Sequence, residues 1–284
     1  MLSTSDHTRS ADHRKYRIVT GLLFVSLFAI CALAFTQGLS HAAPQGSWAL
    51  PATDLSATSF EGRNPQVATG PDGTTIAVWQ GSNGSESIIQ AAVRPPGGSF
   101  GTTADLSATG EDAERPQVAI GPDGTATVVW RGSDGSNYII QAATRPPGGS
   151  FGAPVDLSAA GQDAEGQQIA IGPDGTATVI WYRSNGTYSI IQSATRPPGG
   201  TFSAPADLSV TGGDALYPRV AIGPDGTATA VWHRFNGTFN IVQAATRPPG
   251  GSFGGRINIS GSGQDAFDPQ LAIGPDGTAV AVWT

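Results

Sequence analysis

Apolar residues come in short runs separated by Gly, Pro, Asn and Asp. One run, Gln117 to Ile120, closes on Gly121-Pro122-Asp123-Gly124, whose Pro followed by Gly suits a tight turn. Thr125 to Trp130 follows, rich in β-branched residues, and leads into Gly132-Ser133-Asp134-Gly135-Ser136, which carries the Asp-Gly of a hairpin loop. Tyr138 to Thr144 forms a third run, Arg145 to Gly149 breaks it, and Phe151 to Leu157 supplies a short fourth. No segment keeps the apolar period of a helix, so the pattern predicts four antiparallel strands.

The whole pattern repeats at intervals of 51 residues. Gly-Pro-Asp-Gly begins at Gly70, Gly121, Gly172, Gly223 and Gly274, and Trp79, Trp130, Trp181, Trp232 and Trp283 keep step with it. Arg-Pro-Pro-Gly-Gly begins at Arg94, Arg145, Arg196 and Arg247, and Asp-Leu-Ser at Asp54, Asp105, Asp156 and Asp207, continued as Asn258-Ile259-Ser260. Four antiparallel strands in a unit of this length are the anatomy of a β-propeller blade. Ala126, Val128 and Trp130 alternate with Val129, so both faces of the second strand are apolar, as in a sheet sandwiched between neighbours. A lone unit buries too little to offset the ordering of its backbone, about 1 kcal/mol or more per residue, so the units must pack on one another.

The expected fold is therefore all-β, a propeller of 51-residue four-stranded repeats with five blades, or else part of a larger propeller or an open array. Gly46-Ser47-Trp48 through Asp54 reads as a lone fourth strand, and the fifth unit stops after its second strand at Trp283-Thr284. Strands from the two ends would then share a fifth blade that is one strand short.

Composition divides the chain at residue 42. His13-Arg14-Lys15-Tyr16-Arg17 precedes an uncharged apolar run from Ile18 to Phe35, and Ser40-His41-Ala42 offers small residues for cleavage after Ala42. Residues 1–42 thus read as a secretory signal peptide, with an uncleaved anchor as the alternative, and residues 43–284 as the repeat domain. The expected location is secreted or extracellular, or the cell surface if the apolar segment stays as a tether. Cleavage would leave no stable membrane insertion.

The only Lys (Lys15) and the only Cys (Cys31) belong to the leader. The remainder carries eleven Arg, no Lys, twenty Asp plus Glu and one His, a net charge of about −9, which excludes non-specific nucleic-acid binding. It can form neither a disulfide nor a Cys-ligated metal site, and nothing in it calls for a cofactor.

The order Pro-Gln-Val-Ala-Ile, Gly-Pro-Asp-Gly-Thr, a strand ending in Trp, and Arg-Pro-Pro-Gly-Gly-Ser-Phe resembles the repeats of bacterial sialidase-like propellers of the BNR type. The resemblance spans about 240 residues. That family carries an Asp box, Ser-x-Asp-x-Gly-x-Thr-Trp, where this chain ends in Phe100, Phe151, Phe202 or Phe253 and never has the Asp. Only Gly46-Ser47-Trp48 keeps the Trp, so the resemblance implies an eroded relative. It also implies an Arg triad, a Tyr activated by a Glu, and an Asp acid, none of which can be matched here. Tyr217-Pro218-Arg219 fills an ordinary repeat position, held elsewhere by Arg115-Pro116-Gln117.

The repeated Arg94, Arg145, Arg196 and Arg247 read as caps on Pro-Gly turns, and the Asp of each Gly-Pro-Asp-Gly as turn chemistry. No metal ligand set is legible, since each turn is too short to gather the oxygens calcium requires. His233, the single His of the body, reads as a residue at the exposed edge of a loop. The Asn-Gly-Ser and Asn-Gly-Thr triplets match a glycosylation pattern, although hairpin chemistry explains them without a sugar.

Differences among the units cluster in two connections. One enters the first strand, with Arg63-Asn64, Glu114-Arg115, Glu165-Gly166, Leu216-Tyr217 and Phe267-Asp268; the other follows the Trp, with Gln80, Arg131-Gly132, Tyr182-Arg183 and His233-Arg234. Antiparallel order puts both on one rim and the two conserved turns on the other. Arg131, Tyr182, Arg183, Tyr217, His233 and Arg234 are accordingly the candidate ligand-binding residues, with groups suited to stacking on and hydrogen-bonding a sugar. The expected function is a non-catalytic module binding glycans or other cell-surface polymers. A sialidase-like exo-glycosidase and a structural or adhesive array are the alternatives.

Overall fold

The computed structural model describes residues 17–20, 52–56, 61–108 and 110–284. The cleavage position after Ala42, the apolar run beyond Thr20 and Gly46-Ser47-Trp48 lie outside the described residues. Every regular element among the described residues is a strand, and the strands form five antiparallel sheets stacked as propeller-type blades.

The second sheet shows the plan. Its strands span Glu114–Ile120, Ala126–Ser133, Tyr138–Arg145 and Val155–Asp156, hydrogen-bonded in that order. First strands of successive sheets approach one another, placing them on the inside, while the two-residue fourth strands lie exposed on the outside.

Within each of the first four sheets one hydrogen-bonded chain of side chains ties three strands together. Trp130 Nε1 donates to Gln141 Oε1 at 2.9 Å, and Gln141 Nε2 donates to Asp156 Oδ1 at 2.9 Å. Trp79, Gln90 and Asp105 repeat this, as do Trp181, Gln192 and Asp207, and Trp232, Gln243 and Asn258. The indole can then be fully buried with its N–H satisfied, which explains why Trp rather than Phe recurs there.

Four buried apolar clusters each join consecutive sheets. Ile76, Val78 and Ile89 of the first sheet meet Ala126, Val128 and Trp130 of the second, whereas Val129 and Ile140 turn the other way to meet Val179 and Trp181 of the third. Two further clusters continue the succession to Trp232 and Trp283. Among the described residues no such cluster joins the fifth sheet to the first. The outward face of the first sheet is accordingly more polar: Val67 is 66% exposed, and Thr69 and Thr75 stand where the second sheet has Ile120 and Ala126.

The turn aspartates behave as expected. Asp123 Oδ1 accepts from Thr125 N at 2.9 Å and Oδ2 from Thr125 Oγ1 at 2.7 Å, and the other four turns repeat the pair. Two of the repeated arginines, Arg196 and Arg247, do more than the expected capping of their turns, while Arg94 donates to Thr75 within its own sheet at 2.9 Å. Arg196 reaches back to donate to Thr127 Oγ1 of the preceding sheet at 3.2 Å, and Arg247 does the same to Thr178 at 3.0 Å, so these guanidinium groups are buried struts between sheets.

Among the described residues the fifth sheet has three strands, as the repeat count predicted, but with different membership. Residues 52–54 form no strand there. Arg17–Thr20 instead pairs with Ala279–Trp283, Arg17 lying opposite Trp283 as Gln90 lies opposite Trp79, which is the third-strand place.

Candidate functional site

The variable connections do share one rim, and a bulge sets the geometry at its inner end. The first strand of each of the first four sheets slips register, between Arg63 and Gln66, Glu114 and Gln117, Glu165 and Gln168, and Leu216 and Arg219. The bulged residue takes a left-handed conformation: Asn64 at φ 49°, Arg115 at 54°, Gly166 at 71°, Tyr217 at 51°, and Asp268 of the fifth sheet at 48°. Asn, Gly and Asp tolerate this readily, whereas Arg and Tyr are held there against roughly 1 to 2 kcal/mol of strain. Bulges re-aim side chains, and these four, with Asp268 at the equivalent position of the fifth sheet, set the direction of the residues on the variable rim.

At one end of the rim the groups are charged. Arg131 Nη1 donates to Glu165 Oε2 at 2.8 Å, Nη2 bonds to Glu114, and the guanidinium lies 3.9 Å from the Tyr138 ring centre. Burial disfavours the Arg131 charge, yet the bond to Glu114 and the charge of Glu165 outweigh it, so its pKa is raised. Arg115 at the neighbouring bulge is 60% exposed, 3.7 Å from Glu165. In the first sheet Asn64 Nδ2 donates to Gln80 Oε1 at 2.9 Å.

At the other end the groups are aromatic. The Tyr182 and Tyr217 ring centres are 6.4 Å apart, Tyr217 and His233 5.3 Å, and His233 and Phe267 5.4 Å. The row crosses the third, fourth and fifth sheets. Gly166 enables its start, because a Cβ there would strike the Tyr182 ring at 2.5 Å. Tyr217 is 48% exposed, while His233 is only 4% exposed and its Nδ1 has no partner. Burial lowers the His233 pKa, with the Asp268 charge opposing, and burial likewise raises that of Tyr182, with the Glu165 charge adding to it.

Of the six residues predicted from sequence, Tyr182, Tyr217 and His233 come together in the aromatic row, and Arg131 lies at the charged end. His233 is buried between two rings rather than standing at an exposed loop edge, and Arg131 is an internal tie. Arg183 and Arg234 serve as braces: Arg183 donates to the carbonyls of Ala159 and Ala160, and Arg234 to those of Val210 and Thr211, fixing the connections between sheets. Sequence reasoning left out Arg115, Phe267 and Asp268, although all three lie in the connection whose variability it had noted.

No protein-family model matches the sequence, and no curated protein matches it. Solved structures do resemble the fold. A protein of unknown function from Dyadobacter fermentans aligns with a TM-score of 0.55 at 13% identity, over 81% of this chain and 76% of that one. The GH93 α-L-arabinofuranosidase of Fusarium graminearum, solved with arabinobiose, aligns at 0.50 and 13%, over 80% and 77%. A PL25 ulvan lyase, solved with -[GlcA(1-4)Rha3S]- bound, aligns at 0.50 and 11%, over 73% of this chain and 60% of that one.

Proposed function

We propose that the protein is an exported, non-catalytic module that binds glycans or related cell-surface polymers along the variable rim, and that it is an eroded relative of the sialidase-like BNR propellers. The aromatic row Tyr182, Tyr217, His233 and Phe267 carries this reading. Tyr217 and Phe267 offer exposed rings, the buried His233 between them fixes their spacing, and Arg115, Asn64 and Asp268 add donors and acceptors along the same rim, which suits a saccharide. That Tyr217 is held in a strained conformation to present its ring favours function over drift. The arabinobiose and the sulfated glucuronate-rhamnose ligand in the two similar folds agree with a saccharide.

The non-catalytic part rests on Arg131. Glu114 and Glu165 both bond to Arg131, and the guanidinium occupies the space between them, where hydrolysis would need water and a glycosidic oxygen. A glycan array probed with the exported protein tests binding. Retention on a polysaccharide that Tyr217→Ala abolishes supports the reading, and no retention on any polysaccharide overturns it. Turnover of fluorogenic sialosides or arabinofuranosides would reinstate the exo-glycosidase. Export is tested by sequencing the N-terminus of secreted protein, expected to begin at Ala43. That cleavage would also remove Arg17–Thr20 and leave Ala279–Trp283 at the edge of its sheet.

A further inference from the structure

We infer that Asn236, in the hairpin loop of the fourth sheet, is a site of spontaneous deamidation, set apart from its counterparts Asn83 and Asn185 by a single missing hydroxyl. All three are exposed and precede Gly. In each, the side-chain Oδ1 accepts two backbone N–H groups, at 2.9 Å from Thr238 and 2.9 Å from Phe239 in the case of Asn236. These bonds hold the side-chain carbonyl against the backbone that follows and stabilise negative charge on its oxygen, as an oxyanion hole does.

Deamidation needs the next backbone nitrogen as nucleophile. Gly84 N donates to Ser82 Oγ at 3.0 Å and Gly186 N to Ser184 Oγ at 3.1 Å, so in those loops the nitrogen is engaged. Phe235 stands at this position in the fourth sheet, and Gly237 N has no partner among the described residues. Asn83 is restrained further, since its Nδ2 donates to Glu86 at 2.8 Å. Gly237 N loses its proton to solvent base and attacks Asn236 Cγ, forming the ring C–N bond. The Cγ–Nδ2 bond breaks, the nitrogen takes up a proton, and ammonia leaves. Water then opens the succinimide at either carbonyl to give Asp or isoAsp, with no change of oxidation state.

The second sheet shows that the loop accepts the Asp product. Asp134 stands at the same position, accepts the same two N–H groups from Ser136 and Asn137, and adds Gly161 N at 3.3 Å. Either product places one further negative charge on the rim, and the Asp product does so without dismantling the hairpin, whereas isoAsp lengthens the loop backbone by one carbon.

The full chain, incubated in mildly alkaline buffer and digested for mass-resolved peptide mapping, tests this. Asn236 should convert about fivefold faster than Asn185, the factor that one ordinary hydrogen bond is worth in rate, and Asn83 should be slowest. Phe235→Ser should slow Asn236 to the Asn185 rate, and Ser184→Phe should raise the Asn185 rate, while in denaturant the three should converge. Equal rates in the folded protein, or a Phe235→Ser variant that folds normally by circular dichroism and converts as fast as before, would overturn the inference.

Discussion

The Tyr217 ring lies 5.3 Å from that of His233, tilted by 50°, and it reaches that position only from a backbone φ of 51°. Tyr217→Gly should thus relieve strain and remove a ligand contact at once, whereas Tyr217→Ala removes the ring and keeps the strain. Urea unfolding should find the Gly variant more stable than the Ala variant by about 1 kcal/mol. Both should lose glycan binding by about tenfold or more, since a stacked ring contributes on the order of 1 kcal/mol beyond its area.

His233 should give stability an acid dependence of its own. Burial lowers its pKa from the usual 6.5, so the unfolded chain takes up the proton first. Stability should be constant above that value, fall as pH drops below it, and level off once the folded pKa is passed. The turn aspartates, held below 3.8 by Thr bonds, act only in more acid solution. Denaturant midpoints measured against pH should show this step in the wild type and not in His233→Gln.

Thr178 and Thr229 occupy the same position in successive sheets, but only Thr178 has a strut, accepting from Arg247 at 3.0 Å. Thr178→Val leaves a buried guanidinium short of an acceptor and should destabilise by roughly 1 to 3 kcal/mol. Thr229, whose hydroxyl bonds to none of the described side chains, should tolerate Val within about 0.5 kcal/mol. Equal costs by urea titration would remove the strut from the account.

Gln141 is the middle link between Trp130 and Asp156. Gln141→Leu strands a buried indole N–H and frees the fourth strand, at a cost of roughly 2 kcal/mol. Amide exchange should quicken at Leu157, whose N–H is bonded to Ile140 O at 2.7 Å, before it quickens in the second strand.

The fold was legible because its signals are local and repeated. Gly-Pro-Asp-Gly, the Trp strand and the Asn-Gly or Asp-Gly loop each mark a turn or strand within a few residues, and a fixed spacing multiplies the signal. The site was legible only as a place. Whether Arg131 is free or tied depends on Glu114 and Glu165, 17 and 34 residues away, and no local pattern encodes that pairing. Arg183 and Arg234 looked like exposed cations because their acceptors are backbone carbonyls, which every sequence position offers. The left-handed bulge was hidden for a related reason. Gly166 alone carries the glycine that marks such a conformation, and the other four sheets use Asn, Arg, Tyr and Asp. Strain at a single backbone angle leaves no compositional trace.

Among the described residues, each of the two struts and each buried cluster links a sheet to its immediate neighbour. In-frame gene duplication of one 51-residue unit would therefore add a sheet, an interface and one new rim position while leaving every existing interface as it was. Each added unit would carry its own copy of the Trp–Gln–Asp link and of the Gly-Pro-Asp-Gly turn, so the new sheet would bring its internal ties with it.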